Sequence, residues 1–140
     1  MNYLLDTNVV SEWTRPRPNP HVVRWLADVD EDRVYLSVLT VAEIERGVRL
    51  LPASRKRDRL AAWLTHDLTD RFAGRILTVT VEVAREWGAV SARTERAGRP
   101  MGAMDAFFAA TALVGGLCLV TRNEDDFASS GVRVFNPWSA

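Results

Sequence analysis

Four acidic side chains stand where apolar segments of the chain end or begin, namely Asp6, Glu43, Asp105 and Asp126. If the fold brings them to one edge of a sheet, their mutual repulsion is relieved chiefly by a bound divalent cation. The ligands would all be oxygens, with no histidine or cysteine at these positions, which favours Mg²⁺ or Mn²⁺ over zinc. A metal ion held in this way can activate water for phosphodiester cleavage, so a catalytic histidine is not required.

Asp6 ends the first apolar segment. Residues 2–5 predict a buried central strand that delivers this carboxylate to the edge of a sheet. An ionised carboxylate there is unfavourable unless a cation, a hydrogen-bond donor or protonation compensates it. A structural role is the alternative, because Asp-x-Asn sequences such as residues 6–8 often begin a turn or cap the next segment.

Glu43 also has a structural explanation. Thr40 and Glu43 have the spacing of a helix capping box, and Leu39 with Ile44 that of a hydrophobic staple, so a helix is predicted over residues 41–51. The glutamate nevertheless lies just beyond the second predicted strand. That position places it on the same sheet edge as the first acid.

Asp105 begins the most apolar helix of the chain, whose residues 106–114 are hydrophobic on nearly all sides and must be largely buried. An acid in a first helical turn can simply complement the helix dipole. Residues 123–126 form a polar loop after the fourth predicted strand. The same sheet edge is therefore expected to hold this loop and Asp105.

The remaining pattern alternates strands with helices. Strands are predicted over residues 2–5, 34–37, 75–79, 117–120 and 132–135, with further helices beginning at Pro20, after Ser54 and at Val81. Such alternation specifies a parallel α/β sheet wound by right-handed crossovers. In these sheets the functional site lies beyond the carboxyl ends of the strands.

Composition limits the possibilities further. At 140 residues, with 47% hydrophobic and 26% charged residues, the chain fits one folded domain. It contains no apolar run of membrane-spanning length and no signal-like N-terminus, so a cytoplasmic location without membrane contact is expected. Its single cysteine, Cys118, excludes a disulfide and is predicted to fill the core. The formal net charge of zero leaves only local basic patches, the densest between Arg46 and Arg59.

Taken together, several segments resemble the PIN-domain toxins of the VapC type, and the similarity is closest to the FitB branch. These segments are residues 4–8, 40–43, 105–112, 120–123 and 135–138. The resemblance covers essentially the whole chain. It implies a single PIN domain over residues 1–140, with a three-layer α/β fold in which helices flank a central parallel sheet.

The same resemblance implies a function. The family's members are Mg²⁺-dependent endoribonucleases that act on RNA, and they form homodimers. A small antitoxin occludes their site and binds operator DNA, so contact with that DNA is indirect. By this resemblance Asp6, Glu43 and Asp105 are metal ligands.

The residue that completes the site is less directly indicated. Relatives place Asp or Asn directly after a Thr-Arg pair, and here that residue is Asn123. Its neutral amide suits orienting a carboxylate or a water better than neutralising a cation. We therefore predict that Asp126, three residues on, binds the metal and that Asn123 positions it. Glu124 and Asp125 are predicted to face solvent.

Other classes of protein fit less well. A haloacid-dehalogenase-type phosphatase needs a second Asp two positions after the first, where this chain has Asn8. A receiver-type signalling domain needs a lysine after a late strand, and the only lysine is Lys56, within a predicted helix. His21 and His66 are expected on solvated helix surfaces. A PIN-like module that binds RNA or a partner protein without cutting is the alternative that stays open.

Overall fold

A five-stranded sheet forms the centre of the computed structural model, which describes residues 1–139. Its strands are β1 Tyr3–Leu5, β2 Val34–Ser37, β3 Ile76–Leu77, β4 Cys118–Val120 and β5 Val134–Phe135. They pair in parallel in the order β3-β2-β1-β4-β5. The predicted parallel α/β fold with the first strand at its centre is confirmed.

Helices connect the strands and cover both faces of the sheet. They are α1 Thr7–Ser11, α2 Pro20–Asp28, α3 Val38–Leu50, α4 Arg55–Ala62, α5 Thr69–Arg71, α6 Val81–Arg96 and α7 Ala103–Gly115. A π-helical turn, Trp63–Leu68, joins α4 to α5. Within residues 1–139, none of these helices combines the length and the apolar character that crossing a membrane requires.

Two apolar clusters account for the three layers. Leu5 packs in one cluster with residues of α1, α2 and the π-helical turn, whereas Leu4 packs in the other with residues of α6 and α7. Successive strand residues point to opposite faces, and both leucines are fully buried. The central strand is therefore covered on both sides, and Cys118 next to it is buried as predicted.

Helix α3 begins earlier than predicted. Ser37 is its N-cap and accepts a hydrogen bond from the backbone N–H of Leu39 at 3.0 Å. Thr40 is therefore inside the helix, and the predicted capping box of Thr40 with Glu43 is wrong. The physical reason is that β2 leads directly into α3, so the hydroxyl at the last strand position reaches the first free N–H groups.

Other boundaries also differ. Helix α1 was not predicted from the sequence. Strands β3 and β5 each contain two residues, where longer strands were predicted. The predicted caps Asn19 and Ser54 are confirmed, because each side chain accepts a backbone N–H at the start of its helix. These differences leave the order of elements around the sheet edge unchanged.

We expect Ser37→Ala to lower the free energy of unfolding by about 1 kcal/mol, because it removes the cap of a helix whose start is buried. Urea denaturation measures the change. Ser37→Gly is the matched control and should lose only a few tenths of a kcal/mol, since glycine is tolerated at an N-cap. Equal loss in both variants would show that packing of the serine, and not capping, stabilises this end of α3.

Candidate active site

The predicted site residues gather beyond the carboxyl ends of the central strands. Asp6 directly follows β1, and Glu43 lies in the second turn of α3, which directly follows β2. Asp105 is in the first turn of α7, and Asp126 is in a short 3₁₀ turn, Glu124–Phe127, that follows β4. Parallel pairing of β2, β1 and β4 aligns these ends at one edge of the sheet.

Asp6 is the most buried acid of the group, with 7% of its surface exposed. Its Oδ1 accepts a hydrogen bond from the backbone N–H of Thr7 at 2.7 Å, and its Oδ2 accepts one from the Thr121 hydroxyl at 2.7 Å. Asp6 is thus also the N-cap of α1, as the structural alternative anticipated. Burial raises the pKa of Asp6 and the charges of Glu43 and Asp126 raise it further, against the lowering effect of the two hydrogen bonds.

Glu43 points back towards the residue after Asp6. Its Oε1 accepts a hydrogen bond from the hydroxyl of Thr7 at 2.6 Å, and the buried hydroxyl of Thr40 lies 3.2 Å from that of Thr7. The glutamate therefore makes a contact across 36 positions of sequence. With the capping box excluded, its position is explained by the site and not by the local helix.

Asp105 is half-buried on the first turn of α7. Burial raises its pKa to about 6, with further contributions from the negative charges of Asp6, Asp126 and Glu43. No hydrogen bond to its carboxylate exists in the part of the chain that the structure describes. Because three neighbouring acids each raise the pKa of Asp105, the four carboxylates lie close enough to influence one another.

The segment after β4 contributes one acid, Asp126, and one hydroxyl, that of Thr121. The backbone N–H of Asp126 donates to the carbonyl of Asn123 at 3.2 Å, so the two residues belong to a single turn. The charge of Asp126 raises the pKa of both Asp6 and Asp105, so this acid lies close enough to act on both, although it is exposed like its neighbours. Glu124 and Asp125 are exposed as predicted, although Glu124 also accepts a hydrogen bond from Asn136.

Two threonines of the site, Thr7 and Thr121, were not predicted from the sequence. Thr121 is fully buried and donates to Asp6, while its oxygen lies within 3.1 Å of the Asn123 backbone nitrogen and 3.4 Å of Asn8 Nδ2. Thr7 orients Glu43. Thr121 directly follows strand β4, and Thr7 directly follows Asp6. That adjacency is the one feature of the sequence that could have revealed them.

Asn8 carries a buried side-chain oxygen without a hydrogen-bond partner in residues 1–139. The Thr121 hydroxyl gives its hydrogen to Asp6 and so can only accept from Asn8. That requirement fixes the amide orientation and turns Oδ1 away from Thr121. Buried unsatisfied oxygens are uncommon and call for an explanation such as a water or an ion.

The donor set fits a divalent cation in its chemistry. Four carboxylates and nearby amide oxygens are the hard ligands that Mg²⁺ prefers. As they stand, no three His, Cys, Asp or Glu side chains among the described residues are arranged to enclose a metal ion.

His21 and His66 lie exposed on helices, as predicted, and contribute nothing to this edge of the sheet. Among the described residues, the candidate ligands at this edge are therefore all oxygens. Its two most constrained carboxylates, Asp6 and Glu43, are each held by a threonine hydroxyl.

We expect the metal-free protein to lose stability as pH rises from about 4 to about 6. The folded protein holds the Asp105 proton more tightly than the unfolded chain, in which the pKa of this carboxyl is near 3.8. Folding is therefore favoured below that range, and the gain is lost above it. Asp105→Asn in EDTA should flatten this slope and melt a few degrees higher at pH 7. Asp125→Asn, on the same surface, is the control. Thermal melts across pH give the result, and a lower melting temperature for Asp105→Asn would contradict electrostatic strain.

Comparison with known proteins gives consistent results. The model of the PIN domain family matches residues 3–131. The toxin FitB of Neisseria gonorrhoeae is 42% identical over 96% of this chain and 97% of its own length. The VapC ribonuclease Y4jK of Sinorhizobium fredii is 32% identical over 96% of each chain.

Solved structures agree with these relatives. The structure of FitAB bound to a DNA fragment superposes with a TM-score of 0.93 at 40% identity, covering 97% of this chain and 95% of the other. Agreement at this level extends to the whole sheet and the helices around it. The acids at the sheet edge are therefore placed on a shared framework.

Proposed function

Since the chain belongs to the PIN-domain family, among the VapC and FitB toxins, we propose that it is a metal-dependent endoribonuclease and the toxin of a type II toxin–antitoxin module. One observation carries the proposal. Four carboxylates share the sheet edge, and two of them are oriented by hydroxyls from Thr7 and Thr121. Relatives named as ribonucleases support the nuclease activity.

Each residue has a distinct task in the proposed reaction. Asp6, Glu43, Asp105 and Asp126 would hold Mg²⁺ or Mn²⁺, which when bound supplies an activated water and neutralises charge on the phosphodiester. Thr121 keeps one oxygen of Asp6 facing a fixed direction, and Thr7 does the same for Glu43. Asn123 lies at the start of the turn that carries Asp126, where its backbone carbonyl accepts the N–H of that acid. Its neutral side chain would help to orient the acid or a water.

The partners follow from the relatives. We propose RNA as the substrate, a cognate antitoxin as the inhibitor, and operator DNA as a ligand reached only through that antitoxin. A structure titled FitAB bound to DNA supports such an assembly. A homodimer is also proposed, and large exposed apolar side chains near the site edge, Val81 and Met104, offer surface for a protein contact.

A non-cleaving RNA- or partner-binding module is the second candidate. The observation in its favour is that no three acids enclose a metal position as they stand among residues 1–139. A cleavage assay separates the two functions.

We expect the purified protein to cleave RNA with Mg²⁺ or Mn²⁺ and to lose this activity in EDTA. Asp6→Asn, Asp105→Asn and Glu43→Gln should each reduce the rate by about 100-fold or more, because each removes a charged ligand. Asp125→Asn removes an equal charge from the same turn as Asp126 and should retain activity. Retained cleavage in all three site variants would refute the assignment.

Asp126 and Asn123 can be told apart by their dependence on metal. We expect Asp126→Asn to need a higher Mg²⁺ concentration for half-maximal rate, since it loses a ligand charge. Asn123→Ala should lower the maximal rate with a smaller effect on that concentration, since it disturbs only the position of the acid. The measurement is initial rate against Mg²⁺ concentration, and a shift confined to Asn123→Ala would reverse the two roles.

A further inference from the structure

A groove adjoins the acid cluster on the side of α3 and α4. Its volume is about 480 Å³, and its lining includes Thr7 and Glu43, which also belong to the site. The groove is therefore continuous with the place where a phosphodiester would be cut. Its volume lies within the range of roughly 300–1,000 Å³ that small-ligand sites occupy.

The chemistry of the groove changes from wall to rim. Its lining includes the buried or half-buried apolar side chains Ile44, Val48 and Trp63, which we call the wall. It also includes the exposed cations Lys56 and Arg59 of α4, which we call the rim. Neither of these two cations takes part in an ion pair within residues 1–139. The groove thus combines an apolar wall with uncompensated positive charge, beside a site that is strongly acidic.

We propose that this groove binds the nucleotide next to the cleaved phosphodiester, with its base against the apolar wall that includes Trp63 and its phosphate at Lys56 and Arg59. The inference rests on the proposed nuclease function. A single-stranded nucleic acid alternates apolar bases with anionic phosphates, which matches the alternation of wall and rim. An uncharged apolar protein segment would match the wall but would make no use of the two exposed cations beside it.

The charge of the whole chain favours such a subsite. With a formal net charge of zero and four acids at the cleavage site, RNA gains no general attraction to this protein. Cations close to the site would add to a bound metal in offsetting the repulsion between phosphate and carboxylates. Lys56 and Arg59 are the cations that the groove itself supplies on α4.

Trp63 begins the π-helical turn that follows α4. Such turns are rare and occur often at functional sites. Trp63 also packs against the apolar core, so its ring is held in place at the groove.

The test measures binding of a short single-stranded RNA in EDTA, so that cleavage does not interfere. Lys56→Ala and Arg59→Ala should each weaken binding about five- to tenfold and reduce the salt dependence by about 0.7 in log–log slope for each lost phosphate contact. Arg55→Ala is the matched control, because Arg55 is exposed on the same helix and does not line the groove. It should bind within about twofold of the unmodified protein.

The base contact is tested first on the unmodified protein, because Trp63 also packs against the core. Once the cleaved bond is mapped, an abasic nucleotide is placed on either side of it in the RNA. At one of the two positions we expect the loss of the base to weaken binding by the unmodified protein by about 5- to 100-fold. Trp63→Ala should bind normal and abasic RNA almost equally, while Trp63→Phe should restore part of the difference.

The outcomes separate this inference from the proposed function. If the protein cleaves RNA but its affinity for RNA is unchanged in Lys56→Ala, in Arg59→Ala and with abasic RNA, the groove assignment alone is overturned. The groove would then be assigned to a protein segment. A protein that binds RNA through the groove but does not cleave it would support the subsite and overturn the nuclease function.

Discussion

The structure depends on one buried carboxylate, that of Asp6, at the end of the central strand β1. A backbone N–H on one side and a hydroxyl on the other hold it in place. Burial of an ionised group is unfavourable unless donors surround it, and here the backbone of Thr7 and the hydroxyl of Thr121 supply them. These contacts tie β1 to the residue after β4, across 115 positions of sequence. The same bonds that make the burial tolerable also fix the direction of the acid.

Function and stability oppose each other at this edge of the sheet. The charges of Glu43 and Asp126 add to the effect of burial on the pKa of Asp6, and all three acids act on that of Asp105. Sites of this kind are commonly less stable than the same fold would be without them. The apolar clusters on both faces of the sheet, which include Leu4 and Leu5, stabilise the fold against this repulsion between acids.

Much of the fold was predictable because apolar runs mark buried parallel strands. The positions of Asp6 and Glu43 at strand ends followed from the same runs. The cap of α3 was not predictable, since both Ser37 and Thr40 can cap a helix and the choice depends on where β2 stops pairing. The contact of Thr7 with Glu43 was also out of reach, because it joins distant segments and leaves no periodic pattern.

The order of the strands affects synthesis of the protein as well as its folded form. β1 is made first, yet one of its two neighbours, β4, begins at Cys118, so the middle of the sheet stays open until most of the chain has been made. Pairings between such distant segments form slowly because a long loop must close first. Asp6 therefore meets Thr121 and Asp126 only after those residues have been made, and a shorter nascent chain on the ribosome cannot assemble the full set of acids.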